Sequence, residues 1–131
     1  MTRLRLAAAA ALSFAALATA AHADPIEGVW QTEVDDGSYA LVTIAPCGNA
    51  FCGTISRTFN ASGEYESPNK GKQIVRSMVP ADGGRYNGQV WRPSNDKVYR
   101  GKIELNGNRM KLSGCVAGGL LCASQNWVKV Q

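Results

Sequence analysis

Two pairs of carboxylates, Asp35 with Asp36 and Glu64 with Glu66, are the residues of this 131-residue sequence best spaced for acid and base work. Both pairs lie in segments rich in Gly, Asn, Ser and Pro, where carboxylates are usually just solvated. Acid–base catalysis needs environments that pull two pKa values apart, and neither segment offers one. Histidine would be the usual partner, but the one histidine, His22, falls within the first 23 residues. Those residues follow the order of a secretory signal peptide: Arg3 and Arg5, an apolar run from Leu6 to Ala21, then Ala21-His22-Ala23 before the expected cut. The mature chain, Asp24 to Gln131, then lacks imidazole. That disfavours Ser-His-Asp and Cys-His catalysis and removes the commonest metal ligand. The expectation is a protein with no enzymatic activity and no cofactor.

The cysteines carry the next chemistry. Cys47, Cys52, Cys115 and Cys122 form two close pairs in a chain expected to be exported, which points to disulfides. Ligation of one metal ion by "CGNAFC" and "CVAGGLLC" is the weaker reading, because the second spacing exceeds that of ordinary thiolate sites and an oxidising compartment opposes free thiolates. No C-x-x-C redox motif is present. Four cysteines allow three pairings. Chain entropy alone favours long bridges. Cys47 and Cys52 nevertheless flank a plausible hairpin loop, as do Cys115 and Cys122, so local pairing is expected.

If the protein binds rather than catalyses, aromatic side chains and a few polar anchors are what it has to offer. Trp30, Tyr86, Trp91 and Tyr99 are candidate ligand-contacting residues, with Arg76 and Arg57 as candidate anchors for a carboxylate. Removing the leader takes Arg3 and Arg5 from the 14 basic residues and leaves 12 against 10 acidic ones, with no basic cluster. No nucleic-acid partner is expected on that balance. The apolar run of the leader falls short of the roughly 20 residues of a membrane helix, and no second candidate follows, so no transmembrane segment is expected.

No window of the mature chain sustains a helical period. Eight β-rich runs are punctuated by turn residues: Ile26–Glu33, Tyr39–Ala45, Phe51–Phe59, Gln73–Val79, Arg85–Trp91, Lys97–Leu105, Arg109–Cys115 and Ser124–Val130. "DDGS", "PCGNA", "PADGG", "PSND" and "NGN" separate them, and "NGN" is the sharpest hairpin signal. In the sixth run Tyr99, Gly101, Ile103 and Leu105 share one face, and Arg100, Lys102 and Glu104 the other, as in a half-buried strand. In the third, Arg57 falls on the apolar side, which places it at a strand end or in a pocket. The polar break from Asn60 to Lys72 is either a mobile surface loop or a functional one.

Short strands joined in order predict an all-β, antiparallel up-and-down barrel of about eight strands, filling residues 24–131 as one domain after a signal peptide at 1–23. Gly28 then lets the first strand bend closely under one end, and Trp30 points inward to plug it. This Gly-x-Trp is similar to that of the first strand in lipocalins and the wider calycin group, and the resemblance implies a basic residue of the last strand packed near the tryptophan, a part that falls to Lys129. Over nearly the whole mature chain, "IEGVW", "IAPCGNAFCGTI", "YNGQVWRPSNDKVYRGKIEL" and "MKLSGCVAGGLLCASQNWVKV" resemble the bacterial exported family catalogued as domain of unknown function 2147. The resemblance implies a small periplasmic calycin-type barrel and no established activity. The chain departs from the family pattern near Tyr86, where a tryptophan is expected, and at Arg92, where an acidic residue precedes the proline.

The functional expectation is a periplasmic or secreted bacterial protein that holds a small apolar or amphipathic ligand. The alternative is an envelope structural or interaction protein with a filled barrel, meeting a protein partner or an anionic surface through Arg100, Lys102, Arg92 and Lys97. A large apolar cavity would favour the first, and a filled interior the second.

Overall fold

The turn-punctuated runs become nine β-strands in the computed structural model, which describes residues 23–131. All of the expected signal peptide except Ala23 lies outside the described residues. The strands are β1 (Gly28–Gln31), β2 (Ser38–Cys47), β3 (Ala50–Asn60), β4 (Gly63–Glu64), β5 (Gln73–Ala81), β6 (Arg85–Arg92), β7 (Lys97–Asn106), β8 (Arg109–Val116) and β9 (Leu121–Lys129). Eight of them form an antiparallel ring in the order β2-β1-β9-β8-β7-β6-β5-β3, closed by the β2–β3 pairing; β4 is a two-residue addition to β3. The closed ring leaves no long edge for another chain to pair with.

β1 is shorter than the first β-rich run because the chain before it is turned. The Asp24 carboxylate accepts from the Ile26 amide at 3.0 Å, and the Glu27 amide donates to the Asp24 carbonyl at 2.9 Å. β9 begins earlier than expected, at Leu121, because its pairing with β8 continues through Cys115↔Cys122 to Val116↔Leu121. The "NGN" turn closes as expected, with Asn106 opposite Arg109.

Up-and-down topology sends alternate hairpins to opposite ends. The β2–β3, β5–β6 and β7–β8 turns share one end with the chain entering at Asp24 and leaving at Gln131. This end is packed solid. Trp30, Ile26, Met78 and Met110 are all fully buried, Ile103 and Trp127 almost so. The Trp30 indole N–H donates to the Ile26 carbonyl at 2.8 Å, and Lys129 Nζ lies 5.7 Å from its ring centroid while donating to the Pro25 carbonyl at 3.2 Å. Gly28 has φ +138°, and a Cβ there would sit 2.5 Å from the Gln131 carbonyl oxygen and 2.6 Å from Lys129 Cε. Only glycine allows both that backbone and that approach. The expected plug of Gly28, Trp30 and Lys129 is therefore the structure of the closed end.

A β-bulge corrects the reading of the third strand. Leu41 pairs with Arg57 but Val42 pairs with Ile55, so Ser56 is the extra residue, and its hydroxyl donates to the Leu41 carbonyl at 3.0 Å. Beyond the bulge the faces swap: Thr58 becomes buried, and Phe59 stacks on Tyr39 with ring centroids 4.9 Å apart. Arg57 is exposed, pairing with Glu64 at 2.7 Å, and is neither at a strand end nor in a pocket.

Candidate functional site

The other end of the barrel is open. The turns β1–β2, β6–β7 and β8–β9 and the long β3–β5 connection surround the mouth of a cavity of about 620 Å³. Its walls follow from the alternation of each strand. Ala40, Ile55, Val90 and Leu112 supply aliphatic surface, Trp127 closes part of the bottom, and Gly114 and Ala123, cross-strand partners, leave room on the β8–β9 side.

The long connection is part of this wall. β5 starts at Gln73 whereas β3 and β6 run on to Asn60 and Arg92, so a gap opens between them that Tyr65, Ser67 and Asn69 fill. The segment is sewn down: the Tyr65 amide donates to the Thr58 carbonyl at 3.0 Å, the Thr58 hydroxyl donates to the Tyr65 carbonyl, and Tyr65 Oη lies 3.3 Å from Ser38 Oγ. The Asn60–Lys72 break is therefore pinned to β3 and β2 and lines the cavity through Tyr65, Ser67 and Asn69.

Charge is confined to the rim. The charged residues bordering the cavity are Glu33, Asp35 and Arg92. Asp35 belongs to the β1–β2 turn and Arg92 ends β6, and β1 and β6 stand on opposite sides of the eight-strand ring. The Arg92 guanidinium spans the mouth and donates two hydrogen bonds to the Asp35 carboxylate, at 2.9 and 2.8 Å. Those bonds hold the Asp35 carboxyl below the usual carboxylate range, partial burial opposing them, and hold Arg92 above its ordinary value. Deeper polar groups are neutral and already partnered; the Trp127 indole N–H donates to the Gln125 side chain at 3.0 Å. The arrangement can enclose an apolar body while leaving a polar end at the rim.

Of the five candidate contact residues, Trp91 and Tyr99 border this cavity. Trp91 is buried, its N–H donating to Asp96 at 2.8 Å, with Lys72 Nζ and the Arg76 guanidinium 5.4 and 5.8 Å from its ring centroid. Arg76 thus braces the wall from behind and is not among the lining residues. Tyr99 accepts from the Asn95 amide at 2.7 Å, which anchors its polar tip in the β6–β7 turn. Trp30 and Tyr86 belong to the closed end. The Tyr86 hydroxyl donates to the Asp24 carboxylate, and burial first, then that bond, pushes its pKa above the ordinary tyrosine value. The Asp35–Arg92 pair escaped the sequence reading because the two residues are 57 apart in the chain and Asp35 stands beside Asp36 in a turn that reads as solvated.

The cysteines pair locally, Cys47 with Cys52 at the closed end and Cys115 with Cys122 beside the mouth. Among the described residues no helix is long and apolar enough to cross a membrane.

Comparison with solved structures identifies the architecture as lipocalin-like. A structure titled "Protein HP1028 from the human pathogen Helicobacter pylori belongs to the lipocalin family" is similar, with a TM-score of 0.62 at 13% identity, over 80% of this chain and 82% of that one. Fatty-acid-binding protein 1 of Echinococcus granulosus matches more loosely, with a TM-score of 0.48 at 12% identity, over 82% of this chain and 98% of that one. No curated protein matches the chain. A family model described as "Uncharacterized protein conserved in bacteria" matches residues 28–129, and the chain belongs to that family, DUF2147.

Proposed function

We propose that this protein is an exported binding protein that holds a small, partly apolar ligand in the open half of its barrel. One observation carries the reading: a cavity of about 620 Å³ with aliphatic and aromatic walls, charge only at its rim, and one open end. That volume lies within the range of small-molecule sites, which are concave, mostly apolar and oriented by a few polar groups. The alternative of an interaction protein required a filled barrel, and the cavity argues against it. Export is supported by the signal-like order of residues 1–23 and by two disulfides, which persist in oxidising compartments.

Native mass spectrometry of protein recovered from the periplasm tests both parts. The mature chain is expected to begin at Asp24 and to carry a reproducible extra mass that is lost on denaturation. Ala123 lines the cavity yet is exposed, so Ala123→Trp is expected to leave folding intact while weakening an apolar fluorescent probe roughly tenfold or more by occupying its space. An empty wild-type protein that also ignores such probes would end the ligand reading.

A further inference from the structure

The β8–β9 hairpin carries an apolar tip that the fold leaves uncovered. Val116, Leu120 and Leu121 are 49, 86 and 65% exposed, and residues 116–123 contain no charged side chain. Scattered exposed hydrophobes are ordinary, but three within six residues on one projecting turn form a patch with a position. The turn is held in shape. Cys115–Cys122 staples its base, and Ala117, Gly118 and Gly119 take successive positive φ values of 54, 68 and 92°.

The patch has a cationic flank. Alternation along β7 turns Tyr99, Gly101 and Ile103 inward and therefore Val98, Arg100 and Lys102 outward. The hairpin turn comes back over that outer face. Arg100 Nη1 donates to the Gly118 carbonyl at 3.5 Å, and a Cβ at Gly119 would lie 3.5 Å from Lys102 Nζ and 3.8 Å from Arg100 Nη1. The head groups of Arg100 and Lys102 thus flank the turn that carries Leu120, on the outer side of the mouth, with Val98, 48% exposed, on the same outer face. The same hairpin borders the cavity, since Val116 and Leu121 line its mouth.

We infer that this hairpin docks the protein on an anionic lipid surface, the leucines entering the boundary of the acyl chains while Arg100 and Lys102 meet the head groups. Apolar side chains beside cations are the composition that interfacial anchors use. Three side chains on a tip are too small an area for a stable protein interface, which needs on the order of 1,000 Å², but suit shallow, reversible insertion. Docked this way, the barrel presents its mouth to the bilayer, so an apolar molecule can pass between membrane and cavity without crossing open water. The docking itself requires nothing of the cavity's occupant.

The test is co-sedimentation of the mature, disulfide-intact protein with two kinds of vesicle, one of phosphatidylglycerol and phosphatidylethanolamine, the other of phosphatidylcholine alone. Binding is expected to the first and not the second, and to weaken as salt is raised. Arg100→Gln with Lys102→Gln is expected to lower affinity about thirtyfold, and Leu120→Ser with Leu121→Ser about tenfold. Both pairs of sites are exposed, and an unchanged melting temperature confirms the fold. Failure of the wild-type protein to bind the anionic vesicles at low salt overturns the inference, as does binding that neither double variant weakens. A parallel titration with an apolar fluorescent probe separates this from the cavity reading: probe binding without vesicle binding sinks the docking alone, and vesicle binding without probe binding sinks the ligand alone.

Discussion

Arg92 and Asp35 form an ion pair at the rim of the mouth. Their pair is partly wet, with side-chain exposures of 48 and 28%, so solvent screens it and it adds little to stability. Its position matters more than its energy, because it ties the β1–β2 turn to the end of β6, on opposite sides of the ring. Asp35 has a folded pKa below its unfolded one, so its contribution is complete above the usual carboxylate range, near pH 4, and is lost as pH falls through the lower folded value. Arg92→Gln is therefore expected to leave the melting temperature nearly unchanged at neutral pH while speeding exchange of an apolar probe several-fold, roughly in line with the loss of a surface ion pair. Wild-type exchange should approach the variant's rate only in acid. Glu33 and Asp36 are carboxylates of the same rim, so the comparison of variant with wild type isolates the pair. Stopped-flow release of the probe reads it, and identical rates at neutral pH would show that the pair does not restrain the mouth.

At the scale of elements, period-two patterning and turn chemistry made the strands legible, since each acts over a few residues. Tyr99, Gly101 and Ile103 face inward as their alternation indicates, and Gly28 with Trp30 announces the closed end. What adds a residue to one strand was not legible. The bulge at Ser56 moves Arg57 to solvent and buries Thr58, and the extra residue at Ser77, φ 49°, likewise shifts β5 against β6. Such irregularities are chosen by packing across the ring and leave no local signal. The Asn60–Lys72 segment became wall because β5 starts late, which again is a relation between strands. The closed end supports a definite prediction. Trp30→Ala should lower stability by about 3–5 kcal/mol through the cavity it leaves. Gly28→Ala, which adds only a methyl group, should cost about 1–3 kcal/mol through its positive φ and the contact with the Gln131 carbonyl. Urea unfolding monitored by tryptophan fluorescence measures both, and a Gly28→Ala protein as stable as wild type would mean that the entry to β1 adapts without strain.

As a whole molecule the barrel is polarised. Its packed half holds the two fully or almost fully buried tryptophans, Trp30 and Trp127, the buried methionines and the chain ends, and its open half holds the cavity, the ion pair and the apolar hairpin. The disulfides divide in the same way, which lets stability and binding be separated by experiment. Each bridge closes a short loop, with sequence separations of 5 and 7, so chain entropy assigns each a similar contribution of roughly 2 kcal/mol. Replacing Cys47 and Cys52 by serine should cost about that much and leave probe affinity and vesicle binding as they were, because the β2–β3 turn is remote from the mouth. Replacing Cys115 and Cys122 should cost a similar amount of stability but also weaken both binding activities, because that staple shapes the hairpin that borders the cavity and carries Leu120 and Leu121. Thermal unfolding alongside the two binding assays distinguishes the variants. Equal loss of binding in both would mean that the halves of the barrel are coupled and that the closed end takes part in shaping the mouth.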